Sequence, residues 1–515
     1  MPRSPEAQRL QPKASGGSTG ATSSSSSPGD RGLPLQNVSL DGYVGGATAE
    51  ARRTLMSTSS SSSLSGYGTI GDRPRRSQSG SYGSASSYRL ASKLSTWQTS
   101  YHLVSFMAGS GMLCLPLALV EIDWYGVLLL IGAAIVSAYT SKILIDALDV
   151  VRWSHGSSVS YSDLGYECYG RIGKWATSLL VHSCFLITCT GYLSLATSCI
   201  SGITGLQNST VLVLVTVCVW FHVFANSLKA LAAFSALNVA FSFWIEAVIF
   251  GDAMYPLRQI ALKEPAFEFE TPNLSDSNVF VKLSYSFTLL ASGFFCQALI
   301  PTVYNAMDDH RQCASVVAKS QFGVMGLLYL PICVMSYAVY GDSLQAPVFF
   351  NMRNTIVRNL TIVLYCIHLL LSYTITLYPL QRAFESWVLR GRCGSSHASS
   401  SIPTSGMQSL SRHYSGNSYH SDSDPHSRRV ETTVKIVSRT LLVLLTLFLS
   451  YWLRPSTLDI FGYMLVPSTM LSLVLPVVFY WKICGEEAGR FDTIATSVVF
   501  LVAVATLGCS LTVFI

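Results

Sequence analysis

Apolar residues gather along this chain into long runs separated by short polar stretches. A helix needs about 20 mostly apolar residues to cross the hydrocarbon of a bilayer. By that measure the pattern predicts eleven spanning helices, near 101–120, 125–148, 175–202, 211–225, 229–250, 281–307, 316–340, 356–380, 434–452, 457–481 and 491–515. The fourth is short and is expected to tilt, or to pair closely with the fifth across Asn226-Ser227. Two polar segments stand apart. Residues 1–97 are rich in Ser, Gly and Arg, and residues 391–430 in Ser and His. Neither holds enough apolar residues to offset the entropy of ordering, so both are expected to be disordered cytosolic segments. The remainder, 98–515, is expected to be one membrane domain, and the fold class that follows is an all-α polytopic membrane protein.

Two of the predicted spans carry their own interruption. In the first, Gly109-Ser110-Gly111-Met112 falls at mid-depth and Pro116 follows. Glycine loosens a helix and admits close approach to its backbone, and proline removes a donor and clashes with the turn before it. A helix broken inside the bilayer exposes the N-terminal amides of its second half, here Ser110, Gly111 and Met112. Those amides form a seat for a carboxylate. The competing reading is close helix packing through small residues. In the sixth span Ser292-Gly293-Phe294 is followed by Pro301. There the first half of the helix ends in carbonyls near Ser292 that suit an ammonium or a cation. Five helices form an odd number, so the groups opened by the first and sixth spans are oppositely oriented. Paired interruptions in two inverted halves point to a transporter site. The expected ligand is a small zwitterion, with Phe294 and Phe295 shaping its side-chain pocket.

Composition sharpens this picture. The chain has 515 residues, 50% hydrophobic and only 12% charged, with a mean hydropathy of +0.39. Soluble domains carry about 25% charged residues. The net charge of +6 therefore reports topology rather than nucleic-acid binding, and the bilayer is the expected partner. Lys and Arg crowd the loops after the second, fourth, sixth and eighth spans, which puts the N-terminus in the cytosol. The polar start predicts targeting by the first span rather than by a cleaved leader. The largest outward loop then holds Asn273-Leu274-Ser275, a glycan acceptor pattern. Most of the 13 cysteines lie in apolar segments and read as small apolar residues. His397, His413, His420 and His426 are irregularly spaced without a cysteine, so a solvated linker is favoured over a metal site. In the tail, Tyr67-Gly68-Thr69-Ile70 has the form of an endolysosomal sorting signal. Arg73-Pro74-Arg75-Arg76 beside Ser77 is a basic, phosphorylatable patch. Sorting adaptors and kinases are the partners these two patterns suggest.

Several motifs resemble the amino acid/auxin permease family, which includes vacuolar and vesicular amino-acid transporters. Gly109-Ser110-Gly111-Met112-Leu113 with Leu115-Pro116-Leu117-Ala118 is similar to its first-helix signature. Tyr161-Ser162-Asp163-Leu164-Gly165-Tyr166 resembles its second cytosolic loop, and Pro301, Tyr304, Asn305 and Met307 its sixth-helix exit. Leu377-Tyr378-Pro379-Leu380 follows in order. The resemblance runs from about Ser100 to the end, apart from the Ser/His insert. It implies a LeuT-like fold, two inverted five-helix repeats plus an eleventh helix. It also implies transport of amino acids across a vacuolar or lysosomal membrane, with the plasma membrane as the alternative. Sodium-coupled members carry an Asn four residues before the first glycine and a Thr in the eighth helix; here Ser105 and Thr374 stand at or near those places. A hydroxyl is a poorer sodium ligand than a carbonyl, so the coupling ion is expected to be a proton, with sodium as the alternative. No other cofactor is expected.

Two groups are the proton candidates. Glu246 lies in the fifth span, and a carboxyl inside a membrane can load and release a proton near neutral pH. His368 lies near mid-depth in the eighth, and imidazole titrates between the pH of acidic and neutral compartments. For Glu246 the bland reading is a carboxylate reaching the interface, and for His368 a neutral ring bonded to another helix. The function expected is secondary active transport of neutral amino acids by alternating access. An amino-acid receptor on a transporter scaffold is the alternative. No HExxH and no Gly-x-Ser-x-Gly on a strand-helix turn is found, so an enzyme is not expected.

Overall fold

The computed structural model describes residues 93–109, 111–155, 158–221, 227–263, 279–395, 425–453, 457–485 and 488–514. The tail motifs, Ser110, Asn273 and His397, His413 and His420 lie outside the described residues.

Helices account for nearly all of the described chain, because a backbone surrounded by lipid must bond within itself. Among the described residues eight helices are long and apolar enough to cross a bilayer, including Tyr125–His155, Tyr161–Thr204, Thr355–Val388 and Arg490–Gly508. The other three predicted spans are present but short. Asn208–Trp220 is the fourth, and the first and sixth are each split in two. Their exteriors display large apolar side chains, including Leu128, Ile135, Leu179, Val213, Ile356 and Leu501, while serines, threonines, histidines and glutamines line the interior. An exterior this apolar is what a membrane protein needs, and the buried polar groups stand among an apolar core.

Where the chain departs from expectation, the cause is local. The stretch from Tyr161 to Gly170, expected to be a loop, is helical: Ser160 caps it with a reciprocal Asp163 capping box. It runs into the third span through a kink at Tyr169 and Gly170, where Gly170 takes φ 62°. The seventh and tenth spans each contain a π turn, Met325–Tyr329 and Met470–Val474, with a proline just after it. Proline cannot donate to the preceding turn, and widening that turn is one way to accommodate it.

Strand-like pairing within the described residues is limited to one bridge. Leu94, before the first span, pairs with Met307, after the sixth. The Leu94 N–H donates to the Ala306 carbonyl at 2.8 Å, the Asp308 N–H to the Leu94 carbonyl at 3.0 Å, and Lys93 lies 3.6 Å from Asp308. The two split spans are thus tied together on the side rich in Lys and Arg. On the far side, the Val348 N–H donates to the carbonyl of Leu113 at 3.1 Å.

Candidate functional site

The first span is helical over Thr96–Met107 and again over Leu117–Ile122. Between them the chain passes through turns, closed by the Cys114 and Leu115 N–H groups on the Gly111 carbonyl. Among the described residues nothing accepts from the main-chain N–H of Gly111, Met112 or Leu113. The sixth span is helical over Val279–Gly293 and again over Ile300–Ala306, with Pro301 in its first turn. Both expected interruptions are therefore present, and they touch: a Cβ on Gly111 would lie 3.8 Å from the Gly293 Cα. Gly109 is more tightly enclosed, since a Cβ there would lie 2.3 Å from the Tyr192 hydroxyl oxygen of the third span.

A cavity of about 40 Å³ lies beside this crossing. Phe106, Met107, Gly111, Ser292 and Phe295 wall it from the two broken spans, and Thr188, Tyr192, Met464 and Ser468 close it from the third and tenth. No lining side chain is charged. Of the two adjacent aromatics, Phe295 faces the cavity. Phe294 is buried elsewhere, edge-to-face on Tyr329 with centroids 5.2 Å apart. Met112 is fully buried. Ser292 is engaged within its own helix end, its hydroxyl on the Leu289 carbonyl and its carbonyl taken by the Phe295 N–H. The neighbouring Gly293 carbonyl instead accepts from the Tyr329 hydroxyl at 2.7 Å.

His368 is fully buried and reaches the first break directly. Its Nε2 lies 2.8 Å from the Ala108 carbonyl and 3.3 Å from that of Gly109. Carbonyls only accept, so Nε2 carries a proton and Nδ1 faces the Ser242 hydroxyl at 3.4 Å. The same arrangement recurs one step along the first span. His102 donates from Nε2 to the Leu228 carbonyl at 3.0 Å, and its Nδ1 lies 2.6 Å from the Ser235 hydroxyl. Between the two imidazoles, the Asn238 amide donates to the Ser105 hydroxyl at 2.5 Å and to the Ser372 hydroxyl at 2.8 Å. The Asn238 amide oxygen is buried without a partner. Ser235, Asn238, Ser242 and Glu246 fall three or four residues apart and so share one face of the fifth span. Glu246 is buried.

The structure thus joins Ser105 to the eighth span, but through Ser372. Thr374, which resemblance had suggested, donates to the Leu370 carbonyl of its own helix at 3.2 Å. Sequence reasoning passed over His102 and Asn238. The signal that would have found them is the polar stripe of the fifth span at helical spacing.

A family model described as transmembrane amino acid transporter protein matches residues 92–515. This chain belongs to that family. Amino acid transporter AVT1J of Arabidopsis thaliana is 23% identical over 268 residues, 50% of this chain and 59% of the relative. AVT1B of the same plant is 24% identical over 300 residues, 55% and 52% of the two chains. These alignments span little more than half the length of the relatives. AVT1H aligns further, 23% identical over 440 residues, 80% of this chain and 85% of the relative. Among solved structures, a Na+-coupled sialic acid symporter superposes with a TM-score of 0.48 at 11% identity, covering 84% of this chain and 92% of that one. This member of the transporter family is a multi-pass integral membrane protein. Broken helices open each group of five, and an eleventh span follows them.

Proposed function

We propose that this chain is a proton-driven secondary transporter of small neutral amino acids that works by alternating access. One observation carries the reading: two broken helices cross at Gly111 and Gly293 beside a cavity that offers main-chain donors and acceptors but no charged side chain. A carboxylate suits the Gly111, Met112 and Leu113 amides. An ammonium suits the carbonyl of Met107, which lines the cavity. A substrate with a charged side chain would bury that charge unpaired against Phe106, Phe295 and Met464, which is strongly disfavoured. The relatives' names, amino acid transporters, point to the same substrate class. A cavity of 40 Å³ has room for little more than water. An amino acid enters only when the walls part, as alternating access requires.

Proton coupling is supported by the two histidine–serine pairs. Each serine also sits beside a carbonyl of its own helix: Ser235 at 3.1 Å from the Leu231 carbonyl, Ser242 at 3.1 Å from that of Asn238. A neutral imidazole accepts the serine proton at Nδ1. A protonated imidazole donates to the serine oxygen, and the serine turns its proton to the carbonyl. Both charge states of His102 and His368 are thereby hydrogen-bonded without moving a helix, and Glu246 continues the same face. Sodium is disfavoured because Ser105 stands where sodium-coupled members carry an Asn, and a hydroxyl is a poorer cation ligand than a carbonyl. A vacuolar or lysosomal membrane, across which a pH gradient stands, is the setting this reading favours.

Purified protein in proteoliposomes tests the proposal with a panel of neutral, cationic and anionic amino acids, under pH and sodium gradients imposed separately. Neutral amino acids should accumulate with the pH gradient alone. Flux driven only by sodium would overturn the proton assignment. Saturable binding without flux would point to a receptor.

A further inference from the structure

The Tyr329 phenol, on the π turn of the seventh span, belongs to both breaks at once. Its oxygen lies 2.7 Å from the Met107 carbonyl, the last of the first half-helix in the first span, and 2.7 Å from the Gly293 carbonyl, the last in the sixth. The ring is fully buried, edge-to-face on Phe294. Among the described residues neither carbonyl receives a main-chain N–H. Each terminates a run of aligned peptide dipoles, so two partial negative charges converge on one hydroxyl. A phenol has a single proton and cannot satisfy both at full strength. A second donor is wanted on the cavity side, where Met107 is a lining residue.

We propose that Tyr329 stands in for the substrate's ammonium, bridging the two carbonyl ends whenever the carrier holds no amino acid. This inference rests on the transport reading above. With substrate bound, the ammonium donates to the Met107 carbonyl and the phenol proton turns to Gly293. With the site empty, the shared proton is what keeps two bare carbonyl ends together in a dry interior. Tyr329 is therefore a positioning residue, required for the return of the amino-acid-free carrier and dispensable when the carrier always travels loaded.

Tyr329→Phe removes the proton and keeps the ring. Proteoliposomes give two rates: net uptake, which includes the amino-acid-free return, and exchange of labelled for unlabelled neutral amino acid, which does not. The expected result is a loss of net uptake of about tenfold, with exchange within about twofold of wild type. Loss of both rates in equal proportion, or of neither, would overturn the inference. A second variant, Tyr329→Gln, sacrifices the ring but retains a donor and should hold the wild-type ratio of net uptake to exchange. A ratio as low as that of Tyr329→Phe would also overturn it. Absence of exchange in the wild-type protein would remove the transport reading itself, and this inference with it.

Discussion

The first and sixth spans are interrupted at matching places, yet different chemistry closes the two gaps. In the sixth, the protein supplies its own partners. Tyr329 takes the Gly293 carbonyl, Ser137 donates to that of Phe294 at 3.2 Å, and the Gln297 carboxamide accepts from the Cys296 N–H at 3.0 Å. Gln297 and Gln321 then both donate to the Ser137 hydroxyl, at 3.1 and 2.9 Å. None of these groups changes charge near neutral pH. In the first, the carbonyls of Ala108 and Gly109 are met by an imidazole, and the amides of Gly111 to Leu113 meet no acceptor among the described residues. One break is closed by a cage of the protein's own polar groups, and the other leaves main-chain amides without an acceptor among the described residues, with an imidazole behind them. Inverted halves need only the same break, not the same function at it. On the function proposed above, the substrate carboxylate and the proton fall to the first span, while the sixth supplies the wall.

The largest test of that division is Gly109→Ala. The added methyl would lie 2.3 Å from the Tyr192 hydroxyl and must displace an aromatic ring at the anion seat. A displacement of about 1 Å in a binding site costs about 10²-fold. Net uptake and exchange should both fall by that order while the purified protein remains folded; retained exchange would detach the first break from substrate binding. His368→Gln comes next. Glutamine keeps a donor for the Ala108 carbonyl but does not titrate. Wild-type uptake should change with the substrate-side pH. The variant should lose about tenfold in pH-driven uptake, show a flat pH profile and keep exchange. Tyr329→Phe, which acts at both breaks but leaves the imidazole in place, should keep the wild-type profile, so equal pH dependence in the two variants would erase the contrast. The smallest effect is expected of Gly111→Ala. Its methyl would meet the Gly293 Cα at 3.8 Å, ordinary van der Waals contact, and KM should change by less than about threefold. A large effect there would mean that the two breaks slide past each other during transport.

Much of the architecture was legible in the chain. Every predicted span is present among the described residues, and both breaks fall at the Gly and Pro positions that predicted them. The site was legible only in part. Gly111 and Met107 wall the cavity, but so do Tyr192, Met464 and Ser468 from spans that carry no local signal. Of two adjacent phenylalanines, helix rotation alone decided that Phe295 and not Phe294 faces inward. His368 stood out because a histidine at mid-depth is costly. His102 lies closer to a helix end, and its importance emerges only from Ser235 across the interface.

Span number, span length and the sites of interruption follow from the sequence by itself. Lipid offers the backbone no partner, so each helix must be closed by its own residues, and glycine and proline act within a turn of where they stand. Which side chains meet the broken ends was decided by tertiary structure. The contacts of His368 with Ala108, Tyr329 with Met107 and Asn238 with Ser105 join residues 260, 222 and 133 positions apart. A buried polar group announces in sequence that it needs a partner; only the packing of helices selects which one it finds.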